Sequence, residues 1–204
     1  KMAELGADGP QVLISGSAIG FYGARGDDQL DESAVAGTGF LPDLCRAWET
    51  STAPAEAAGV RVAHIRTGIV LSRHGGALKK MLPLFRLGAG GRFGSGKQWM
   101  SWISVDDQVG AIDHLLSSSI AGAVNLTAPS PVRNTEFAKT LASVLNRPSF
   151  VPLPSFGPKL VLGSELAEAL LFDGQRVESA ALRTDGYVFG HPKLDVALRA
   201  VLGR

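Results

Sequence analysis

The feature that most limits what this chain can become is an alternation of short apolar runs with longer segments of helical period. Residues 11–15 (QVLIS) are a β-branched, apolar run of the kind a strand covered on both faces requires. Residues 40–58 carry Leu41, Leu44, Cys45 and Trp48 at i, i+3, i+4 and i+7, which sets them on one helical face. Pro54 should kink or divide that helix, and Gly59 suits the residue just past its end. Residues 60–71 (VRVAHIRTGIVL) read as a second strand. Strand, helix and strand joined this closely form a βαβ unit, so the two strands are expected to be parallel.

The alternation continues downstream. Residues 76–87 read as a helix with Leu78, Met81, Leu82 and Phe85 on one face, followed by a glycine loop over 88–96 and a strand over 99–105. Asp106 or Asp107 is the expected N-cap of a helix running to Leu116. Residues 123–127 (AVNLT) suit a short strand, and Asn134 is the expected cap of a helix that turns Phe137, Leu141 and Val144 inward. From residue 150 the pattern changes to a Pro-Leu-Pro turn, then helices near 160–171 and 175–184, and a terminal helix from Leu194. The expectation is an α/β fold: a parallel-sheet domain over residues 1–150 and a smaller, mostly helical lobe over 151–204. In such sheets ligands bind at the carboxyl ends of the strands, which directs attention to Ser15, Gly16 and Ser17 and to Arg66, Thr67 and Gly68.

Composition removes several classes of function. The net charge is +1 with both signs interspersed, so no basic run exists to track a phosphate backbone, and nucleic acid is not an expected partner. No apolar run approaches the roughly 20 residues that span a bilayer, so no membrane partner is expected. Cys45 is the only cysteine, which rules out an internal disulfide and a multi-cysteine metal site and fits a reducing cytoplasm. His64, His74, His114 and His191 share no ligand spacing, so no metal is expected. Residues 91–97 match the G-x-x-x-x-G-K phosphate loop, but Gln98 stands where Ser or Thr would hold magnesium. That loop also follows a helix and opens a strand, the reverse of the phosphate-loop context. The Trp99 and Trp102 pair suits strand packing before base or sugar stacking.

Several phrases together resemble the epimerase-like, extended short-chain dehydrogenase/reductases. Residues 15–23 (SGSAIGFYG) resemble their Ser-rich segment ending in Tyr-Gly, and Asp31-Glu32-Ser33 the acidic turn that follows. Residues 94–107 (GSGKQWMSWISVDD) resemble their Gly-x-Gly, Gln and Val-Asp-Asp region. The phrases AIGFYG, LCRAWE and QWMSWI, with the helical C-terminal extension, are similar to an atypical subgroup labelled sugar-nucleotide epimerase. The resemblance implies a Rossmann-type domain and a dinucleotide cofactor, NAD or NADP with NADP favoured. It also implies a nucleotide-sugar or other small carbonyl or alcohol substrate. The glycine fingerprint of such proteins follows their first strand, and none is present here; residues 2–5 read as the end of a helix. The natural protein is therefore expected to begin upstream, with the strand at Gln11 about the fifth of the domain.

The resemblance also implies a Tyr-x-x-x-Lys helix, in which the tyrosine moves the proton and the lysine lowers its pKa and holds the nicotinamide ribose. Here Leu41 stands at the tyrosine and Cys45 at the lysine. Leu41 has no proton to give, and a neutral thiol carries no positive charge. Ser17 matches the hydroxyl that polarises the substrate, with Ser15 as the alternative alignment, and Tyr22 is a second phenol near the strand end. The candidate catalytic residues are Ser17, Tyr22 and Cys45. The candidate cofactor contacts are Ser15, Gly16, Ser17, Cys45, Arg66, Thr67, Gly68 and Ile69. Each has a plain structural alternative: a turn serine, a packed phenol or thiol, a strand-end charge. Two functions stay open: an NAD(P)-dependent epimerase-like oxidoreductase, or a non-catalytic dinucleotide-binding sensor or scaffold. Extended members often dimerise through the Tyr-x-x-x-Lys helix and the next one, here residues 40–58 and 76–87.

Overall fold

The structure, a computed structural model, describes residues 9–149 and 174–204. Its centre is a parallel sheet of three strands, β1 (Val12–Ala18), β3 (Arg61–Thr67) and β7 (Gly122–Leu126), in the order β1-β3-β7. The strands are in register so that Ser17 pairs with Arg66 and Arg66 with Asn125. Side chains alternate across a strand, and the two faces of this sheet differ in chemistry. Ile14, Ala63, Ile65, Val124 and Leu126 join one apolar cluster with Ala111 and Leu115 of helix α4 (Val105–Ser117). On the other face His64 bonds to Thr52 and Arg66 to Glu49, residues of the helical crossover that links β1 to β3.

That crossover is α1 (Phe40–Thr50) followed by α2 (Ala53–Ala57), so the single helix expected over 40–58 is divided. Pro54 stands in the first turn of α2, where its missing N–H costs nothing. Ahead of α1, a 3-10 turn (Ile19–Tyr22) leaves β1, and the short strand β2 (Gln29–Leu30) follows.

Two expected strands are broken at single residues. The run over 60–71 divides at Gly68 into β3 and β4 (Ile69–Leu71), and β4 pairs with β6 (Trp102–Ser104) outside the central sheet. A Cβ at Gly68 would lie 2.5 Å from the Ser101 carbonyl oxygen, so the change of sheet needs glycine. The run over 99–105 divides at Ser101 into β5 (Trp99–Met100) and β6. The Ser101 hydroxyl donates to the Gln175 carbonyl at 2.7 Å and accepts the Val177 N–H at 2.9 Å.

Both expected caps move. Ser104, not Asp106 or Asp107, caps α4 by accepting the Asp107 N–H. The Asp107 carboxylate is buried and accepts the Gly190 and His191 N–H groups at 2.7 and 3.0 Å, which ties the C-terminal segment to the start of α4. Helix α5 (Asn134–Val144) is preceded by β8 (Val132–Arg133); Asn134 is its first residue and accepts the Phe93 N–H at 2.7 Å.

The stretch expected as a helix over 175–184 begins instead as β9 (Arg176–Val177), paired with β2, and only Ala180–Thr184 is helical (α6). The helix expected near 160–171 lies outside the described residues. The terminal helix α7 (Leu194–Leu202) forms as expected after α3 (Gly76–Arg86), α5 and the β4-β6 pair have built its seat. Its Leu194, Ala197, Leu198 and Val201 join Leu78, Leu82 and Phe85 of α3 and Phe137 and Leu141 of α5 in one cluster. No helix among the described residues is long and apolar enough to cross a membrane.

Candidate active site

The register of the sheet sets Ser17, Arg66 and Asn125 in one transverse row, near the carboxyl ends of β1, β3 and β7. Polar side chains under a Rossmann crossover helix must be met by partners, because an unmet buried group costs about 1–3 kcal/mol. The row meets them. Ser17 Oγ donates to Glu49 Oε1 at 2.7 Å. Arg66 donates from Nε to Glu49 Oε1 at 2.8 Å and from Nη2 to Oε2 at 2.9 Å, a two-pronged ion pair. Its Nη1 donates to the Tyr22 hydroxyl at 3.0 Å, and Tyr22 donates in turn to Asn125 Oδ1 at 2.7 Å. The Phe21 ring centroid lies 3.4 Å from the guanidinium carbon, a cation–π contact. Asn125 continues the network into the C-terminal segment through the Glu178 carbonyl, while Glu32 accepts the N–H groups of Asn125 and Ala180.

Electrostatics follow from this geometry. Burial alone would raise the Glu49 carboxyl, but the Arg66 and Ser17 hydrogen bonds outweigh it and hold the group below the ordinary glutamate value. Burial opposes the charge of Arg66, yet Glu49 and Tyr22 hold its pKa above the usual one. Burial pushes the Tyr22 phenol up, with Arg66 only partly offsetting it. Tyr22 is fully buried and spends its hydrogen on Asn125, so it stands as a neutral phenol. Burial also pushes the Cys45 thiol up; it is a buried free thiol whose sulfur lies 3.7 Å from the Ala18 carbonyl oxygen.

The structure therefore gathers Ser17, Tyr22, Cys45 and Arg66 beneath the buried face of α1. Leu41 lies over Gly20, 3.4 Å from where a Cβ there would stand. Ser15 pairs with His64, one step down the strands from Ser17, and Gly16 is exposed with open space beside it. Thr67, Gly68 and Ile69 lie at the end of β3 with their polar groups engaged. Gly68 N–H donates to Leu126 and Ile69 N–H to Ser101, and Thr67 Oγ1 accepts from Gln108. Arg66 faces inward, with its charge met by Glu49 rather than offered to a phosphate.

The sequence alone gives no site role to Glu49, Asn125, Phe21 or Glu32, although Glu32 lies in the acidic turn noted above. Two signals were present. Glu49 continues the four-residue spacing of Leu41 and Cys45, so it shares their face of α1. Asn125 is a polar residue inside a short apolar strand, where it must have a specific partner.

Away from this row, a hollow of about 650 Å³ opens between residues 24–27 and the loop 95–99. Its wall holds Lys97, Arg133 and Trp99. Trp99 donates to Asp27 at 2.9 Å, and the Arg133 and Arg176 guanidiniums lie 4.0 and 4.9 Å from its ring centroid. Trp102 is fully buried and donates to the Ser130 carbonyl, so it belongs to the core. Among the described residues no group of three or more His, Cys, Asp or Glu side chains is arranged to hold a metal.

Comparison with known proteins agrees with this architecture. Residues 153–201 match the family model described as a domain of unknown function, DUF1731. An epimerase family protein of Mycobacterium bovis is 46% identical over 191 residues, 93% of this chain and 63% of that protein. This chain thus spans less than two thirds of that relative's length. The human epimerase family protein SDR39U1, solved with NADPH, superposes with a TM-score of 0.88 at 32% identity, covering 97% of this chain and 67% of the human one. A protein of Corynebacterium glutamicum described as a nucleoside-diphosphate sugar epimerase superposes at 0.77 with 38% identity, over 99% of this chain and 39% of its own. The chain belongs to the atypical, epimerase-like short-chain dehydrogenase/reductase family whose members carry the C-terminal DUF1731 domain.

Proposed function

We propose that this chain is the substrate-side portion of an NAD(P)-binding, epimerase-like oxidoreductase, with NADPH the favoured cofactor. The observation that carries the reading is the Ser17–Glu49–Arg66 row at the carboxyl ends of parallel strands, where such folds take their ligands. The NADPH of the human relative supports the choice of cofactor. The residues suit the uncharged nicotinamide–ribose end of a dinucleotide. Ser17 offers a hydroxyl near the carboxyl end of β1, and the cation of the row is neutralised by Glu49, so no free charge there calls for pyrophosphate. When bound, the cofactor supplies hydride chemistry. The chain's own part is to orient the ligand through Ser17 and to line the site with Cys45 and the end of β3. The hollow beside Lys97, whose neighbour Arg133 is paired with Asp27, leaves the Lys97 ammonium for the anionic part of a substrate such as a nucleotide-sugar, and small carbonyl or alcohol compounds remain within the class. A cytoplasmic location belongs to the same reading, since Cys45 is a free, buried thiol.

A second reading is a dinucleotide-binding module without turnover. It is favoured by one observation: Tyr22 is locked as a neutral phenol, while the resemblance sets Leu41 and Cys45 where the acid/base pair is expected. The test is a fluorescence titration of the full-length protein with NADPH and NADH, followed by a cofactor-oxidation screen over sugar nucleotides, ketones and aldehydes. Tight NADPH binding with turnover that Ser17→Ala abolishes supports the first reading. Binding without turnover on any compound supports the second, and no binding of either cofactor overturns both.

The dimer implied by resemblance would use α1 and α3. Helix α3 turns Leu78, Met81, Leu82 and Phe85 into the core but leaves Leu84 exposed, and α1 leaves Phe40 and Trp48 exposed. A second copy docked on these two helices is the form of that proposal, and sedimentation at several concentrations tests it; a monomer throughout ends it.

A further inference from the structure

The resemblance assigns Ser17 the role of a donor that polarises a carbonyl. The hydrogen-bond pattern points the other way. A serine hydroxyl has one hydrogen and two lone pairs. The hydrogen of Ser17 is committed to Glu49 Oε1 at 2.7 Å, because an ionised carboxylate has none of its own to offer. Glu49 cannot turn away to release it. Both its oxygens are gripped by Arg66, at 2.8 and 2.9 Å, and its side chain is 14% exposed. Arg66 is fixed in turn by the Tyr22 hydroxyl and the Phe21 ring. Ser17 is itself 7% exposed and the Cys45 thiol lies within its reach, so what it can present at the strand ends is its remaining lone pair.

We propose that Ser17 is a hydrogen-bond acceptor for a ligand hydroxyl, and that Glu49 is the positioning residue that fixes this polarity through its bond to Ser17 and its pair with Arg66. This rests on the reading that a nicotinamide dinucleotide binds at these strand ends. The hydroxyl can come from either of two sources with the same chemistry: the nicotinamide ribose, whose usual lysine partner is absent at Cys45, or a substrate alcohol. In both cases the site prefers an O–H over a carbonyl oxygen, which would meet Ser17 lone pair to lone pair.

The test uses the full-length protein and a cycle of two cofactors and two proteins. NADPH and its analogue lacking the 2′-hydroxyl of the nicotinamide ribose are titrated against wild type and Ser17→Ala. If the ribose is the source, wild type binds the analogue about 3- to 10-fold more weakly, the range of one neutral hydrogen bond, and Ser17→Ala binds both alike. If the substrate is the source, both proteins bind the two cofactors alike. Cyclohexanol then binds the NADPH complex of wild type about 3-fold or more tightly than cyclohexanone does, the range of one neutral hydrogen bond, and Ser17→Ala loses the preference.

Glu49→Gln reads the positioning role. Its amide leaves one neutral oxygen to accept from both Ser17 and Arg66 Nε, so the serine hydrogen is held less firmly and the hydroxyl preference falls, while thermal unfolding reports that the fold is kept. Ser17→Thr keeps the hydroxyl and restores the preference. A Ser17→Ala protein that retains the wild-type preference in both arms overturns the proposal. Failure of wild type to bind NADPH at all overturns the cofactor reading beneath it, a separate outcome.

Discussion

Burying a guanidinium is costly unless its charge and its N–H groups are met, and removing one partner of a buried pair leaves the other uncompensated. Arg66 is 5% exposed and takes its counter-charge from Glu49, so Glu49→Ala should destabilise the protein by about 3–5 kcal/mol in urea unfolding. Replacing Arg66 and Glu49 together by Met and Leu should cost much less than the sum of the single changes, and a double-mutant cycle measures that coupling. The pair also carries a pH signature. The folded-state pKa of Glu49 lies below its unfolded value, so its contribution is complete above about pH 4.3 and is lost as the pH falls through the lower folded value. The stability gap between wild type and Glu49→Gln should therefore narrow as the pH drops from 6 through the carboxylate range. A gap that stays constant with pH would show that Glu49 is not held ionised by Arg66.

At the scale of elements, Gly68 is where one run of apolar residues becomes two strands of two sheets. A methyl group there meets the Ser101 carbonyl at 2.5 Å and the Thr127 methyl at 2.8 Å. Gly68→Ala should therefore cost about 1–3 kcal/mol, the range for overpacking, read as a lowered melting temperature. The same position shows what sequence reading can reach. The β1-α1-β3 unit was legible because apolar period is local and Pro54 marks its own break. The strand divisions at Gly68 and Ser101 were not, since each depends on a distant group: the Ser101 carbonyl for one, the Gln175 and Val177 backbone for the other. The cap of α4 was misread by a few residues for a similar reason. Asp107 is a good capping residue in isolation, but its carboxylate is drawn to the amides of residues 190 and 191, and Ser104 takes the cap. The site was half legible. Ser17 and Arg66 sit in recognisable phrases, whereas the significance of Glu49 appears only once α1 is laid across β1 and β3.

For the molecule as a whole, the C-terminal segment decides how much of the fold is cooperative. Residues 174–204 enter it at four places. Val177 sits in the cluster with Tyr22 and Cys45, Glu178 and Ala180 meet Asn125 and Glu32, Gly190 and His191 are held by Asp107, and α7 closes the cluster built by α3 and α5. The site and the tail thus share a hydrogen-bond path, from Arg66 through Tyr22 and Asn125 to the Glu178 carbonyl. Loosening α7 should therefore be felt throughout. Leu198 is fully buried at the centre of that contact, and Leu198→Ala should cost about 2–5 kcal/mol. Because the tail is joined to the sheet at several points, the loss should appear as one unfolding transition shifted to lower denaturant with an unchanged slope. Far-ultraviolet circular dichroism and tryptophan fluorescence check this together, since Trp102 lies in the same cluster and Trp48 on the exposed side of α1. Two separate transitions, with the α7 region melting first and the central sheet later, would show that the tail is an independent lobe rather than part of the body that holds the Ser17 row in place.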